Sequence, residues 1–436
     1  MLPSRILVLL AAAFLLSGTA TAATARFEGH VIFRGDSLAV RLALDESDTL
    51  AARLDIPQLW YAEEPVPARR TGPQGLTVEF PFGIGAVDLA RDGQGWQGRR
   101  EGFAVVLGPG VPPPYTKLPL HFGACAPLLP GTLYLPDGAG PHPSVVIVAG
   151  SGPSTRAGWS YRSKADYYAR LGVAALVYDR RPYTAELPDG SPADLWSQAD
   201  DIVAARDTLA GRPDLDPARI GLHGGSQGVW LALLAHGRHG GFAFMVLTGA
   251  PAVTPAEQQL QSLVQGMRVD GVADAEIAHA VAYQRLYFAV AHRGDGFAAL
   301  AAARDAGAGT PWIDYVDQPR TLDDLAWWHR NLDFDPRAIL LETRIPLLVM
   351  TGADDWVVPA VQNLPLFARY AQLAGNDRVT TLVIPRADHR LEQPPHTDAD
   401  GRWRFFAIAP EARAAITAFL RGGGWSPASG SAGSTR

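Results

Sequence analysis

Two patterns of hydrophobic spacing divide the chain. From about Arg26 to Gly108 apolar and polar residues alternate: Leu38, Val40, Leu42 and Leu44 are separated by Ala39, Arg41 and Ala43, and Leu76, Val78 and Phe80 by Thr77 and Glu79. A period of two places one set of side chains on a buried face, so it predicts half-buried strands. Asp92-Gly93, just ahead of Gly95-Trp96, has turn chemistry between two such strands. With few helical patterns among them, residues 23–115 are expected to form a small antiparallel β domain. Pro112-Pro113-Pro114 ends it as a linker, because three prolines continue neither a helix nor a central strand.

The second pattern alternates strands with helices and occupies residues 126–421. Gly131 to Pro136 reads as a strand, and Pro143 to Gly150 as a continuous β-branched one of the kind buried on both faces. A helix over Tyr161 to Leu171, a strand over Val173 to Asp179 and a helix over Ser191 to Leu209 follow. Ile220 and Leu222 then lead into Gly224-Gly225-Ser226-Gln227-Gly228, behind which Val229 to Ala235 begins an apolar helix. Phe242 to Thr248, Leu347 to Thr351 and Val379 to Pro385 are further strands, and Pro410 to Leu420 is a last helix. Repeated β-α units predict a mostly parallel, doubly wound sheet.

The alternation is interrupted over 254–337. Thr254-Pro255-Ala256-Glu257 combines a capping box with proline at the first helical position, and Leu260, Leu263, Val264 and Met267 share one helical face. This segment is expected to be a helical cap inserted into the sheet domain. Beyond Gly422 the chain is mostly Gly, Ser, Ala and Pro, the composition of a disordered tail over 422–436.

Composition narrows the function. Apolar residues make up 47% of the 436 positions and charged residues 19%, enough for a large core, and the net charge of −6 leaves no basic footprint for nucleic acid. Ile6 to Leu16 is an apolar run behind Arg5, and Ala20-Thr21-Ala22 is an A-x-A site, so residues 1–22 read as a secretory signal cleaved after Ala22. The expected product is an exported protein, periplasmic or secreted, with no stable membrane anchor. Cys125 is the single cysteine, so no internal disulfide forms and the core alone must hold the fold.

The chemistry centres on Ser226. G-x-S-x-G between a strand and a helix is the pattern of a nucleophile elbow, whose tight turn needs small residues such as Gly224 and Gly228 beside the serine. The helix that starts there points its N-terminus at the serine, which makes the Gln227 N–H one candidate oxyanion donor. The other is the N–H of Ser151, or alternatively Gly152, in the loop after the strand ending near Gly150. A serine nucleophile needs a base and an orienting acid, which in this architecture follow it in the order acid then histidine, each on a loop after a strand. Gly352-Ala353-Asp354-Asp355 follows one strand and Arg386-Ala387-Asp388-His389 the next, leaving Asp354 or Asp355 as the acid and His389 as the base. No H-E-x-x-H motif occurs, and the Ala149-Gly150-Ser151-Gly152-Pro153 stretch is neither a dinucleotide fingerprint, because the third glycine is absent, nor a P-loop, because no Gly-Lys-Ser/Thr follows, so neither a metal nor a cofactor is expected.

Several spaced blocks strengthen this reading. Gly150-Ser151-Gly152-Pro153 is followed by Arg156, and Asp179-Arg180-Arg181 closes a strand. Trp328-His329-Arg330, Asp335-Pro336, Pro346 and Gly352 to Pro359 come later in the chain. In these blocks the chain resembles bacterial carboxylesterases of the α/β-hydrolase superfamily that carry a β domain ahead of the catalytic one, although the family's glycine after Arg180 is replaced by Arg181. The resemblance covers about Gly131 to Leu420. It implies a serine hydrolase acting on a small-molecule carboxylic ester through an acyl-enzyme, with Ser226, His389 and, by the spacing from Gly352, Asp355 as the triad. A peptidase or thioesterase on the same triad is the alternative; a binding protein on an inert hydrolase fold is a third reading. A β-propeller, as in prolyl-peptidase relatives, does not fit in about a hundred residues when one blade takes ~40. Of the cap aromatics, Tyr287, Trp327 and Trp328 are the expected substrate contacts, the other role for such residues being the cap's own core.

Overall fold

The computed structural model describes residues 24–46, 49–152, 154–182 and 184–422. The signal segment and nearly all of the tail expected from the sequence lie outside these residues, as does Pro153.

The alternating N-terminal pattern forms one nine-stranded antiparallel sheet. Its strands are β1 (Ala25–Phe33), β2 (Asp36–Asp45), β3 (Ala51–Ile56), β4 (Tyr61–Val66), β5 (Ala68–Gly72), β6 (Gly75–Phe80), β7 (Gly85–Asp92), β8 (Gly95–Arg100) and β9 (Phe103–Pro109). They are ordered β4-β3-β2-β1-β9-β8-β7-β6-β5. Leu38, Val40, Leu42 and Leu44, the alternating set of β2, all point into its core with Leu54, Leu76, Val78 and Trp96. A short 3-10 turn over Pro57–Leu59 joins β3 to β4 and ends at Trp60 in the left-handed region, φ 49°.

The second sheet has eight strands in the order β10-β11-β13-β12-β14-β15-β16-β17. They are β10 (Tyr115–Phe122), β11 (Leu129–Pro136), β12 (His142–Val148), β13 (Ala174–Tyr178), β14 (Leu215–Gly225), β15 (Met245–Thr248), β16 (Leu347–Gly352) and β17 (Val379–Ile384). Only β11 runs against the others, being antiparallel to both its neighbours. Helices α1 (Trp159–Arg170), α2 (Leu195–Ala210) and α3 (Gln227–His239) follow β12, β13 and β14. This is the α/β-hydrolase fold: a mostly parallel, doubly wound sheet whose order reverses at β12. The sheet begins at Tyr115, directly after the proline run and ahead of the first expected strand. β10 escaped notice because its polar residues and Pro119 belong to an edge strand.

Between β15 and β16 the chain builds the cap with α4 (Pro255–Val269), α5 (Asp274–Arg293), α6 (Phe297–Ala306) and α7 (Ala326–Asn331), after which α8 (Pro336–Glu342) returns to the sheet. Thr254 caps α4 through the expected box with Glu257. The last helices are α9 (Ala360–Ala374) and α10 (Pro410–Arg421). α1 and α10 cover one face of the sheet, α2, α3 and α9 the other. Among the described residues no helix is long and apolar enough to cross a membrane.

A further excursion fills the stretch between β17 and α10. Two-residue strands β18 (Glu392–Gln393), β19 (His396–Thr397), β20 (Trp403–Arg404) and β21 (Ala407–Ile408) pair β18 with β21 and β19 with β20. Its tip docks on the N-terminal sheet. Phe405 enters that sheet's core, its N–H donates to Asp36 Oδ2 at 2.9 Å, and Trp403 stands edge-on to Phe33 with centroids 5.0 Å apart.

Candidate active site

Ser226 sits at the carboxyl end of β14, in the middle of the sheet, and is the residue before α3. Its backbone is held at φ 54°, ψ −126°, a conformation that costs on the order of 1–3 kcal/mol for a residue with a Cβ and persists only where neighbours enforce it. Part of the enforcement is the Ser226 N–H, which donates to Thr248 O of β15 at 2.9 Å. The flanking glycines have a steric reason. A Cβ on Gly224 would lie 2.6 Å from Gly228 O, and one on Gly228 would lie 2.5 Å from Val148 O of β12. Helix and strand therefore approach at a distance only glycine allows. The first-turn N–H groups of a helix have no intrahelical partner, and the position of Gln227 puts its N–H at the positive end of α3 beside the serine.

The loop after β12 carries Gly150, Ser151 and Gly152. Arg180, buried at the end of β13, donates to Gly150 O at 2.5 Å and to Gly152 O, and so clamps this loop from behind. Arg156 pairs with Asp179, also with its backbone N–H on that carboxylate at 2.7 Å. Arg181 is fully buried on Asp201, at 2.9 and 3.0 Å, and also donates to Cys125 O. Of the three arginines Arg180 thus bears directly on the expected oxyanion loop, and Arg181 ties the middle of α2 to the β10–β11 connection.

His389 and Asp355 meet from adjacent loops. His389 Nδ1 lies 2.9 Å from Asp355 Oδ2, and Asp355 Oδ1 accepts the Val358 N–H at 2.7 Å. The Asp355 side chain is fully buried, whereas Asp354 is exposed and contributes its N–H to Ala387 O at 2.9 Å. Gly352 permits this meeting: a Cβ there would fall 2.1 Å from Ala387 O and 2.3 Å from Asp388 O. Asp388 accepts the N–H groups of Arg390 and Glu392, both at 2.8 Å, fixing the turn that follows the histidine. Gly249, at φ +50° after β15, seats the imidazole, since a Cβ there would lie 2.9 Å from His389 Cε1.

Ser226 and His389 line one cavity of about 250 Å³ with Gly150, Ser151, Gly225 and Thr248. Its other walls are Trp60 from the N-terminal sheet, Trp159, Tyr161 and Lys164 from α1, His223 beneath the elbow, and Arg390, Leu391 and Glu392 from the histidine loop. Burial, reinforced by the Lys164 charge, pushes the His223 pKa down to about 3, so this imidazole is neutral; its Nδ1 lies 2.9 Å from the Tyr168 hydroxyl. Burial also lowers Lys164 to about 8, with the Arg390 charge acting in the same direction.

Of the residues singled out in the sequence, Ser226, His389 and Ser151 are brought together in this cavity. The cap aromatics lie elsewhere. Tyr287, Trp327 and Trp328 do not line the cavity that holds Ser226; they line a separate one with Asp317, Gln318 and Arg320. Tyr287 is buried in the cap's own core with Phe288 and Trp312, and Trp328 packs against it, since aromatic faces on α5 and α7 satisfy each other first. The cap meets the site through α4 instead, where the Gln258 amide donates to Val357 O and Trp356 packs on Gly266. Trp60, Lys164, His223 and Gly249 were not anticipated. The glycine directly after a parallel strand was a readable sign for Gly249; nothing local marks the other three. Among the described residues no cluster of His, Cys, Asp and Glu has the geometry to hold a metal ion.

No protein-family model matches the chain, and no curated protein matches it at a significant level. Solved structures similar to it include a thermostable carboxyl esterase from Bacillus coagulans, at 16% identity over 71% of this chain and 98% of that one, TM-score 0.44. A Pyrobaculum calidifontis esterase is similar at 16% identity over 71% and 87%, TM-score 0.40. The 2,6-dihydroxy-pseudo-oxynicotine hydrolase is similar at 16% identity and TM-score 0.38, and the match spans 62% of that chain's length.

Proposed function

We propose that the chain is a serine hydrolase that cleaves carboxylic esters through an acyl-enzyme. The observation that carries this is the hydrogen bond from His389 to the buried Asp355, with the imidazole opening onto the cavity that also holds the strained Ser226. With Nδ1–H donated to Asp355, the His389 Nε2 lone pair is left to take the Ser226 proton as Oγ attacks the ester carbonyl. The N–H groups of Gln227 and Ser151 receive the developing oxyanion. As the tetrahedral intermediate collapses, the C–O bond to the alcohol breaks and imidazolium returns the proton to the departing oxygen. Water, deprotonated by the same imidazole, then releases the acid and restores Ser226. Asp355 orients the ring and stabilises its charged form throughout.

A fluorophosphonate probe tests this against the inert-scaffold reading. Labelling on the Ser226 peptide that disappears in Ser226→Ala supports the hydrolase; an unlabelled wild-type chain would leave a binding protein as the account. Export is a second proposal, motivated by Ala20-Thr21-Ala22 behind the apolar run. Mass spectrometry of the mature protein is expected to find Ala23 first, and a product retaining Met1 would refute it.

A further inference from the structure

The cavity beside Ser226 has an unusual charge distribution. Lys164 projects from α1 into it, and among the described residues no carboxylate lies within ion-pair distance of its ammonium. The charged side chains nearest it, Arg390 and Glu392, act on it in opposite senses. The one acidic side chain lining the cavity, Glu392, faces Arg390 at 4.0 Å. His223 is neutral, and its Nε2 has no hydrogen-bond partner among the described residues. Beside these charges the ammonium meets two aromatic faces, the Tyr161 ring at 5.5 Å and the Trp60 ring at 5.9 Å. Lys164 is half-buried, and cation–π contacts of this kind contribute ~0.5–2 kcal/mol without supplying the counter-ion that a partly desolvated charge favours. A half-buried ammonium lining the cavity with no carboxylate in ion-pair contact leaves a place for a negative charge brought by a ligand.

We infer that Lys164 receives a carboxylate of the substrate, so that the preferred substrates are esters that also carry a free carboxylic acid. The inference rests on Ser226 being the nucleophile, because only then does the ester lie in the same cavity as the ammonium. Trp60 and Tyr161 flank the bound group and keep water from screening the pair, which makes it worth more than an exposed ion pair. The N-terminal sheet thereby takes part in substrate choice: it supplies Trp60, one of the two rings over Lys164, through the turn before β4. Lys164 binds and orients; it takes no part in bond making or breaking.

The test compares chain-matched esters in the full-length protein. On the acyl side the pair is monomethyl adipate and methyl hexanoate; on the alcohol side it is 6-acetoxyhexanoate and hexyl acetate. In one of the two series the wild-type kcat/KM is expected to favour the acidic ester by ~10- to 100-fold, the range of a charge-assisted hydrogen bond. Lys164→Met is expected to bring that ratio to within about threefold of unity and Lys164→Arg to retain most of it, whatever the absolute rates. A uniform structural defect would lower both members of a pair and leave their ratio in place. Two results overturn the inference: neutral esters cleaved by Ser226 with no acidic preference in either series, or a preference that survives Lys164→Met. If none of the esters is cleaved and Ser226 is not labelled by the fluorophosphonate, the hydrolase reading itself has failed and this inference with it.

Discussion

Asp355 turns its carboxylate inward onto His389, at 2.9 Å, while Asp354, one residue earlier, turns its own to solvent. The two are the same chemical group, separated only by which way the backbone faces after β16. Asp355→Asn is expected to reduce turnover by ~10³- to 10⁴-fold, because an amide cannot stabilise the imidazolium and promotes the wrong tautomer. Asp354→Asn is expected to stay within about tenfold of the parent. Kinetics of both variants on one short ester, with folding checked by circular dichroism, decides between them; the reverse order would move the acid to Asp354.

Gly249 is a second point of close approach. Its backbone is in the left-handed region and a methyl there would press on His389 Cε1 at 2.9 Å. Gly249→Ala is expected to push the imidazole off its seat and cost ~10- to 100-fold in kcat, on the scale of a small misplacement of a catalytic group. A variant with parental kcat would show that the ring tolerates the displacement.

Much of this site could be read from the residues, and the reason is local. The elbow at Ser226 and the loops carrying Asp355 and His389 each follow a recognisable strand, so their order along the chain already places them at the carboxyl ends of a parallel sheet. The choice between Asp354 and Asp355 needed the motif spacing, because the backbone direction within a turn has no periodic signature. Trp60 was illegible for a different reason: a 3-10 turn between two antiparallel strands points it at a helix a hundred residues away in sequence. The excursion after His389 was hidden because strands of two residues carry no pattern at all. The cap aromatics lie away from the Ser226 cavity for a physical reason, since large rings on amphipathic helices readily pack on one another.

That excursion makes a prediction of its own. Asp36 accepts the Phe405 N–H at 2.9 Å and faces Arg404 at 3.4 Å, tying the segment after His389 to the N-terminal sheet. Asp36→Ala leaves that N–H without its partner and is expected to destabilise the protein by ~1–3 kcal/mol, seen as a lower denaturation midpoint in urea. An unchanged midpoint would mean that the aromatic contacts of Trp403 and Phe405 hold the segment unaided.

The lowered pKa of Lys164, about 8 against 10.5 for a free side chain, fixes the sign of two pH effects. Because the folded pKa lies below the unfolded one, the protonated lysine opposes folding below pH 8, and stability rises as pH increases from about 8 towards 10.5. Lys164→Met is therefore expected to be more thermostable than the parent at pH 7, with the difference shrinking above pH 9. The groups facing the ammonium are Arg390, Glu392, the neutral His223 and the rings of Trp60 and Tyr161. The preference for acidic esters should fade above pH 8 as the ammonium is lost. Taking the ratio of acidic to neutral ester cancels the ionisation of the triad, which both substrates share.

The central claim is that Ser226 is the nucleophile, and turnover of methyl hexanoate by Ser226→Ala tests it most directly. The substitution removes one oxygen and leaves Gly224, Gly228, Asp355 and His389 in place. The account predicts a folded protein whose kcat falls by at least ~10³-fold, as loss of a triad member does. Turnover near that of the parent would contradict it.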